Sequence, residues 1–194
     1  MNRAHLWSRY IPAVVLLLAA IVVAACGPAG STATPAVTPL TLEQLQNAQY
    51  QGIYDQPVTL TGGKYEGAPF VEGGASRPTV TFTEPYALGD LNGDGVADAA
   101  VLLVENSGGS GSFVYLAAVL DSAGSPDNVA TTSLGDRVQP QSLAIGDGQI
   151  DLQLIGFGPN DPLCCPTQQE DQTYALQGGQ LVQTSSQIVG TAQP

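Results

Sequence analysis

Leu143-Ala144-Ile145-Gly146-Asp147-Gly148-Gln149-Ile150-Asp151-Leu152 sets an Asp-Gly pair between two apolar runs. A two-residue type I′ turn needs positive φ at both central residues, which Asp and Gly tolerate, so this stretch predicts a β-hairpin. Outward from it the same grammar repeats. Gly178-Gly179 and Gly62-Gly63 predict two more tight turns, and Ser122–Asp127, with Gly124 and Pro126, predicts a looser one. Between the turns, strands are predicted at Val58–Leu60, Lys64–Tyr65, Thr79–Thr83, Ala99–Glu105, Phe113–Asp121, Asn128–Ser133, Gln141–Ile145, Ile150–Phe157, Thr173–Leu176 and Leu181–Thr184. Many short strands on tight turns give a mainly β fold, an antiparallel sandwich or curled sheet. No fixed-period repeat is visible, which argues against a propeller or solenoid.

One short N-terminal helix precedes the strands. Thr41-Leu42-Glu43-Gln44 fits a capping box, and Leu42, Leu45 and Ala48 follow at helical spacing, predicting a helix over Leu42–Gln49.

The chain has 194 residues, enough for one domain and a tail. Seventeen acids face five bases, a formal charge of −12, while 43% of residues are apolar. Such a chain can bury a core, and its acidity repels phosphates, so no nucleic-acid partner is expected.

The N-terminus reads differently from the rest. Met1–Tyr10 carries Arg3, His5 and Arg9 and no acid, and Ile11–Val23 is apolar apart from Pro12. A basic segment, a short apolar run and small residues before a cut site describe an export signal. The run is short for a spanning helix, which needs roughly 20 apolar residues. Val23-Ala24-Ala25-Cys26-Gly27 resembles the lipobox of bacterial lipoproteins. The resemblance implies that Cys26 is lipidated, that the chain is cut before it, and that its acyl chains anchor it to a membrane. Each buried methylene would contribute about 0.8 kcal/mol. An ordinary signal cut after Ala25, or an uncleaved anchor, are the alternatives.

Loss of residues 1–25 leaves Lys64, Arg77 and Arg137 against all seventeen acids, a net of −14, with no histidine. Serine and cysteine nucleophiles that depend on an imidazole base are then excluded, as are histidine-ligated metals. No catalytic residue is predicted. The expected organisation is a signal peptide over 1–25, a lipidated Cys26 with a disordered Ala/Thr/Pro-rich tether over 26–40, one β-rich domain over 41–185 and a flexible tail over 186–194. As a coil the tether would reach about 2 nm.

The clearest chemical signal is Gly89-Asp90-Leu91-Asn92-Gly93-Asp94-Gly95-Val96-Ala97-Asp98. Asp90, Asn92, Asp94 and Asp98 fall at positions 1, 3, 5 and 9 of a calcium loop, with Gly95 at the sharp turn of position 6 and the Val96 carbonyl at position 7. Hard oxygens at this spacing suit calcium, expected to be structural and weakly held, about 10⁻⁴–10⁻³ M. Position 12 is Val101 where an EF-hand has glutamate, and an apolar strand follows in place of a helix. The pattern instead resembles the calcium loops of FG-GAP-type extracellular β repeats, which implies no activity. The other reading is a polar turn whose side chains cap their own backbone.

Asp161-Pro162-Leu163-Cys164-Cys165-Pro166-Thr167 carries an adjacent cysteine pair. Outside the cytoplasm a vicinal disulfide between Cys164 and Cys165 is expected; packed thiols, or a redox, metal or intermolecular role, are the alternatives. Three weaker signals remain. Asn106–Ser112 is glycine-rich but precedes a strand, so it reads as a mobile hairpin loop, with the lining of a ligand cleft as the alternative. Arg137 reads as the partner of a local carboxylate. Tyr50, Tyr54 and Tyr65 read as core or rim packing, with a sugar-stacking face as the alternative.

Taken together, LEQLQNAQY from Leu42, GDLNGDGVADAAVLLVENSGGSGSF from Gly89, NVATTSLGDR from Asn128 and DPLCCPT from Asp161 resemble a family of exported bacterial proteins and lipoproteins of uncharacterised function. The resemblance implies an intact domain outside the cytoplasm and supplies no catalytic residue. The functional expectation is a lipid-anchored cell-envelope protein, a non-enzymatic binding or structural module whose envelope ligand or protein partner is open. The alternative is a carboxylate-dependent hydrolase of envelope or extracellular polysaccharide.

Overall fold

Eleven strands and one helical turn make up the fold of this computed structural model, which describes residues 38–192. The expected signal peptide, Cys26 and most of the tether lie outside the described residues. The described residues belong to one compact unit, Ala36–Pro194.

The helix α1 spans only Leu42–Leu45. Its capping box forms: the Gln44 N–H donates to Thr41 Oγ1 (3.2 Å) and the Thr41 N–H donates to Gln44 Oε1 (2.9 Å). It stops four residues before the predicted Gln49. Asn47 turns its Nδ2 back to the Glu43 carbonyl and accepts the Gly62 N–H on Oδ1, an alternative to helix that Asn side chains readily supply. Gln49–Tyr50 (β1) then pairs with Val58–Thr59 (β2).

Two antiparallel meanders follow. The first sheet runs in chain order through β3 (Lys64–Glu66), β4 (Thr79–Gly89), β5 (Asp98–Asn106), β6 (Phe113–Ser122) and β7 (Ser125–Asp136). The second runs through β8 (Gln139–Gly146), β9 (Gln149–Gly156), β10 (Gln168–Gln177) and β11 (Gln180–Thr191). The fold is mainly β, with a curled sheet and one short helix, as the turn grammar predicts.

The turn that anchors the sequence reading is present, with Asp147 at φ +51° and Gly148 at φ +71° between paired β8 and β9. Several strands outrun their predicted ends. β4 continues through Pro85 because β3 pairs only with Thr79–Thr81 and the ladder to β5 shifts between Thr83 and Ala87. Proline therefore removes no ladder bond there. β10 includes the charged Glu170-Asp171 step, and β11 runs to Thr191, through residues expected to form a flexible tail. Pairing to β9 and β10 supplies what the polar sequence does not advertise. At the other end, Leu40, expected in the tether, is 2% exposed and joins the core.

β5 is buried on both faces, which is why Ala99–Val104 reads as an unbroken apolar run. Ala99, Val101 and Leu103 pack beneath α1, β1 and β2 with Leu45, Tyr50 and Leu60. Ala100 and Leu102 face the second layer, with Leu116, Ile150, Leu152 and Leu154. Each fully buried Leu or Ile there contributes roughly 1.5–3 kcal/mol. At one corner β4 approaches β8 so closely that a methyl on Gly89 would lie 2.6 Å from Ile145 Cγ2. This central strand carries a buried carboxylate at each end, Asp98 and Glu105.

Candidate functional site

The acidic loop joins β4 to β5. Leu91, 5% exposed, anchors it in the inter-sheet core, while Asn92, Gly93, Asp94 and Gly95 stand out in solvent. Its side chains fold back on its own backbone. Asp90 accepts the Gly93 N–H on Oδ1 (2.7 Å) and the Gly95 N–H on Oδ2 (2.9 Å). Asn92 Oδ1 accepts the Asp94 N–H (2.9 Å), and Asp94 Oδ1 accepts the Val96 N–H (2.7 Å). Asn92 Nδ2 also donates to Asp94 Oδ2 (2.8 Å). Gly93 and Gly95 hold φ at +79° and +84°, conformations that suit glycine. The backbone N–H groups, Gly95's foremost, hold the Asp90 carboxyl below the usual carboxylate range.

Asp98 behaves differently from the other three. It is fully buried at the first position of β5, and its oxygens tie two neighbours to it. Oδ2 accepts the Leu91 N–H and Oδ1 the Asp121 N–H, each at 2.9 Å. It thus locks the loop base to β6.

The donor chemistry fits a hard cation in part. The half-buried Asp90 and the exposed Asn92 and Asp94 offer oxygens on one short loop, and a carboxylate that accepts one N–H per oxygen keeps lone pairs free. Among the described residues, no three carboxylate, thiolate or imidazole groups are gathered as a ligand set. The expected set also draws on the Asn92 amide and the Val96 carbonyl, which are donors of other kinds.

The cysteine loop, between β9 and β10, is pinned in a similar way. Asp161 Oδ2 accepts the N–H groups of Gly158 (2.8 Å) and Thr167 (2.7 Å), and Oδ1 accepts Thr167 Oγ1 (2.9 Å). These donors, Gly158's first, hold the Asp161 carboxyl below its usual range. Cys164 and Cys165 are turned toward one another as a vicinal pair, with Cα atoms 3.8 Å apart, the ordinary spacing across a trans peptide. Both are exposed, beside the 77% exposed Leu163.

Arg137 pairs with Asp136 at 2.9 Å, as expected. It also donates from Nε (3.2 Å) and Nη2 (2.8 Å) to the Ser110 carbonyl, and from Nη1 (3.2 Å) to the Leu163 carbonyl. One guanidinium therefore ties the glycine-rich loop, which closes the β5–β6 hairpin, to the cysteine loop.

The three tyrosines separate. Tyr50 is core, its hydroxyl donating to the Leu45 carbonyl (2.8 Å). Tyr54 and Tyr65 form a tilted pair 6.5 Å apart at the rim of a cavity of about 380 Å³.

Sequence reasoning missed Glu105. It is 3% exposed at the far end of β5, with Oε1 accepting the Tyr54 hydroxyl (2.9 Å) and the Ser107 hydroxyl. The available signal was an acid inside a predicted strand, directly after the six apolar residues Ala99–Val104. No protein-family model, curated protein or solved structure matches the chain.

Proposed function

We propose that this protein is a lipid-anchored component of the bacterial cell envelope that displays an acidic β domain as a non-enzymatic binding or structural module, with calcium holding the 90–98 loop. Anchoring rests on the lipobox around Cys26. Among the described residues no helix is long and apolar enough to cross a membrane. The observation that carries the calcium reading is the loop itself. Asp90, Asn92 and Asp94 present oxygens at alternate positions of an arc turned by glycines, and the self-capping hydrogen bonds they also make are shared with the polar-turn reading. Asp90, Asn92, Asp94, the Val96 carbonyl and Asp98 would hold the ion. Calcium would offset the repulsion of three carboxylates within nine residues. Its role would be mechanical: fixing the start of β5, the strand around which both core layers pack.

The vicinal Cys164–Cys165 disulfide is proposed as a covalent pair within an exposed loop that Asp161 fastens, suited to an oxidising compartment. Calcium titration of the purified mature chain, followed by thermal melting, tests the central claim. Rising melting temperature with millimolar calcium, reversed by chelator and absent in Asp94→Asn, is the expected result. An unchanged melt across that range removes calcium from the reading. Turnover of a polysaccharide, lost on changing one carboxylate outside 90–98, would replace it with the hydrolase reading.

A further inference from the structure

The cavity at the opposite end of β5 from the acidic loop is walled by four segments of chain. Tyr54 and Pro57 come from the β1–β2 loop, Tyr65 from β3, Phe70 and Pro78 from the loop before β4, and Ser107 from the loop after β5. Its volume of about 380 Å³ falls within the range of small-molecule sites, about 300–1,000 Å³. The walls are cross-tied. The Phe70 N–H donates to the Ser76 carbonyl (3.1 Å), and Ser76 Oγ donates to the Gly108 carbonyl (3.4 Å). A methyl on Gly67 would meet Pro78 Cγ at 2.6 Å, so the far wall leaves no slack. Yet Phe70 remains 57% exposed, an aromatic ring offered to solvent at the mouth.

Directly behind two of these wall residues lies Glu105, held by the hydroxyls of Tyr54 and Ser107. Both donors are neutral. The ion pairs among the described residues are Lys64–Glu66 and Arg137–Asp136, and neither involves Glu105. A carboxylate 3% exposed with no counter-charge is costly to maintain, and a cation brought close to it would relieve that cost. Tyr54 and Tyr115 have their phenols pushed above the ordinary range, by burial first and then by Glu105, so this neighbourhood disfavours further negative charge. The surrounding field acts in the same direction. Residues 38–192 carry three bases against seventeen acids, and the wall itself adds the exposed Asp55.

Aromatic faces, a buried carboxylate and an acidic surround suit one chemistry: a weakly hydrated organic cation, whose charge is attracted by ring faces and whose alkyl surface packs against them. A metal ion would have to shed its water for phenol rings and prolines, which offer poor ligands. We propose that this cavity binds a compact alkylammonium group, seated on Tyr54, Tyr65 and Phe70, with Glu105 as its counter-charge one layer beneath. This deepens the binding-module reading, but depends on neither calcium nor the lipid anchor.

Calorimetric titration of the purified mature chain with choline chloride, in chelator, tests it. Saturable binding at about 1 mM is expected, weakened about tenfold in Glu105→Gln and about threefold in Phe70→Ala. Glu105→Gln keeps an oxygen able to accept both hydroxyls, and melting checks that it folds. Should it not fold, the exposed Phe70→Ala decides alone. Methyl glucoside should not bind, and sodium should not compete beyond ionic-strength screening. Vesicles of phosphatidylcholine, compared with free choline, separate a lipid headgroup from a free solute, and retention of either supports the site. No saturation by about 100 mM choline, equal affinity in the folded variants, or a glucoside binding as tightly as choline would overturn the proposal. A calcium-dependent melt surviving any of those results would leave the structural reading standing.

Discussion

Two buried carboxylates stand seven residues apart on β5, and their surroundings differ in kind. Asp98 is met by two backbone N–H groups, those of Leu91 and Asp121. Glu105 is met by two side-chain hydroxyls, on Tyr54 and Ser107. An odd separation places them on opposite faces of the strand, Asp98 toward the inter-sheet layer and Glu105 toward the tyrosine layer. The difference decides what each can do. Backbone N–H groups only donate and cannot move without moving the chain, so Asp98 is a fastener. Hydroxyls rotate and both donate and accept, so the Glu105 surroundings can adapt to a change of occupant or charge.

Replacement of the two acids tests that contrast most sharply. Asp98→Ala strands two buried N–H donors and should destabilise by about 4 kcal/mol in denaturant melts. Asp98→Asn must turn an NH₂ group toward one of those donors and should still cost about 2 kcal/mol. Glu105→Gln keeps one oxygen for both hydroxyls and should cost less than about 1 kcal/mol. Equal losses for Asp98→Asn and Glu105→Gln would break the distinction between fastener and adaptable site.

Calcium should act on one end only. With a dissociation constant of about 0.5 mM, ten millimolar calcium would add about 2 kcal/mol, a rise of roughly 4–8 °C for a domain of this size. The increment should persist in Glu105→Gln and vanish in Asp94→Asn. A gain that survives Asp94→Asn would place the ion elsewhere.

The two ends were not equally legible in the sequence. Asp90, Asn92, Asp94 and Asp98 announce themselves because a loop that folds on itself needs its oxygens and glycines at fixed local spacing. The Asp147-Gly148 turn is legible for the same reason. Glu105 makes contacts through Tyr54, fifty-one residues away, and no local spacing encodes a partner brought in by tertiary packing. The ends of β4 and β11 escaped for a related reason. Pro85 is harmless only because β3 is short, and the uncharged, polar 185–191 stretch is ordered only because β10 lies beside it.

Solution pH offers a gentler way to load each end. Asp90 is held below its ordinary range, so the stability it contributes is present above about pH 4 and is lost as pH falls through its lower folded value. Tyr54 and Tyr115 are held above theirs. Their neutral forms favour the fold up to about pH 10, and stability falls as pH rises beyond that and the unfolded chain gives up its protons first. Asp90→Asn should therefore flatten the acid limb of a stability curve and leave the alkaline limb alone. Tyr54→Phe should do the reverse. Both variants altering the same limb would mean that the two ends are not independent.

The cysteine loop gives the smallest effect and a control for the others. Asp161 holds it through backbone N–H groups, as Asp98 holds the base of the acidic loop, so the fastening lies in the carboxylate and not in the sulfurs. A bond between adjacent residues closes almost no chain, and the loop-closure entropy by which disulfides stabilise a fold is correspondingly slight. Both sulfurs are also exposed. Reduction should thus raise the intact mass by two hydrogens while shifting stability by less than about 0.5 kcal/mol. Asp161→Ala should cost more than that, because it frees both ends of the 158–167 segment at once. If reduction proved the costlier change, the covalent pair would be the fastener, and the rule drawn from β5, that a carboxylate on backbone donors sets the loop, would fail at its second instance.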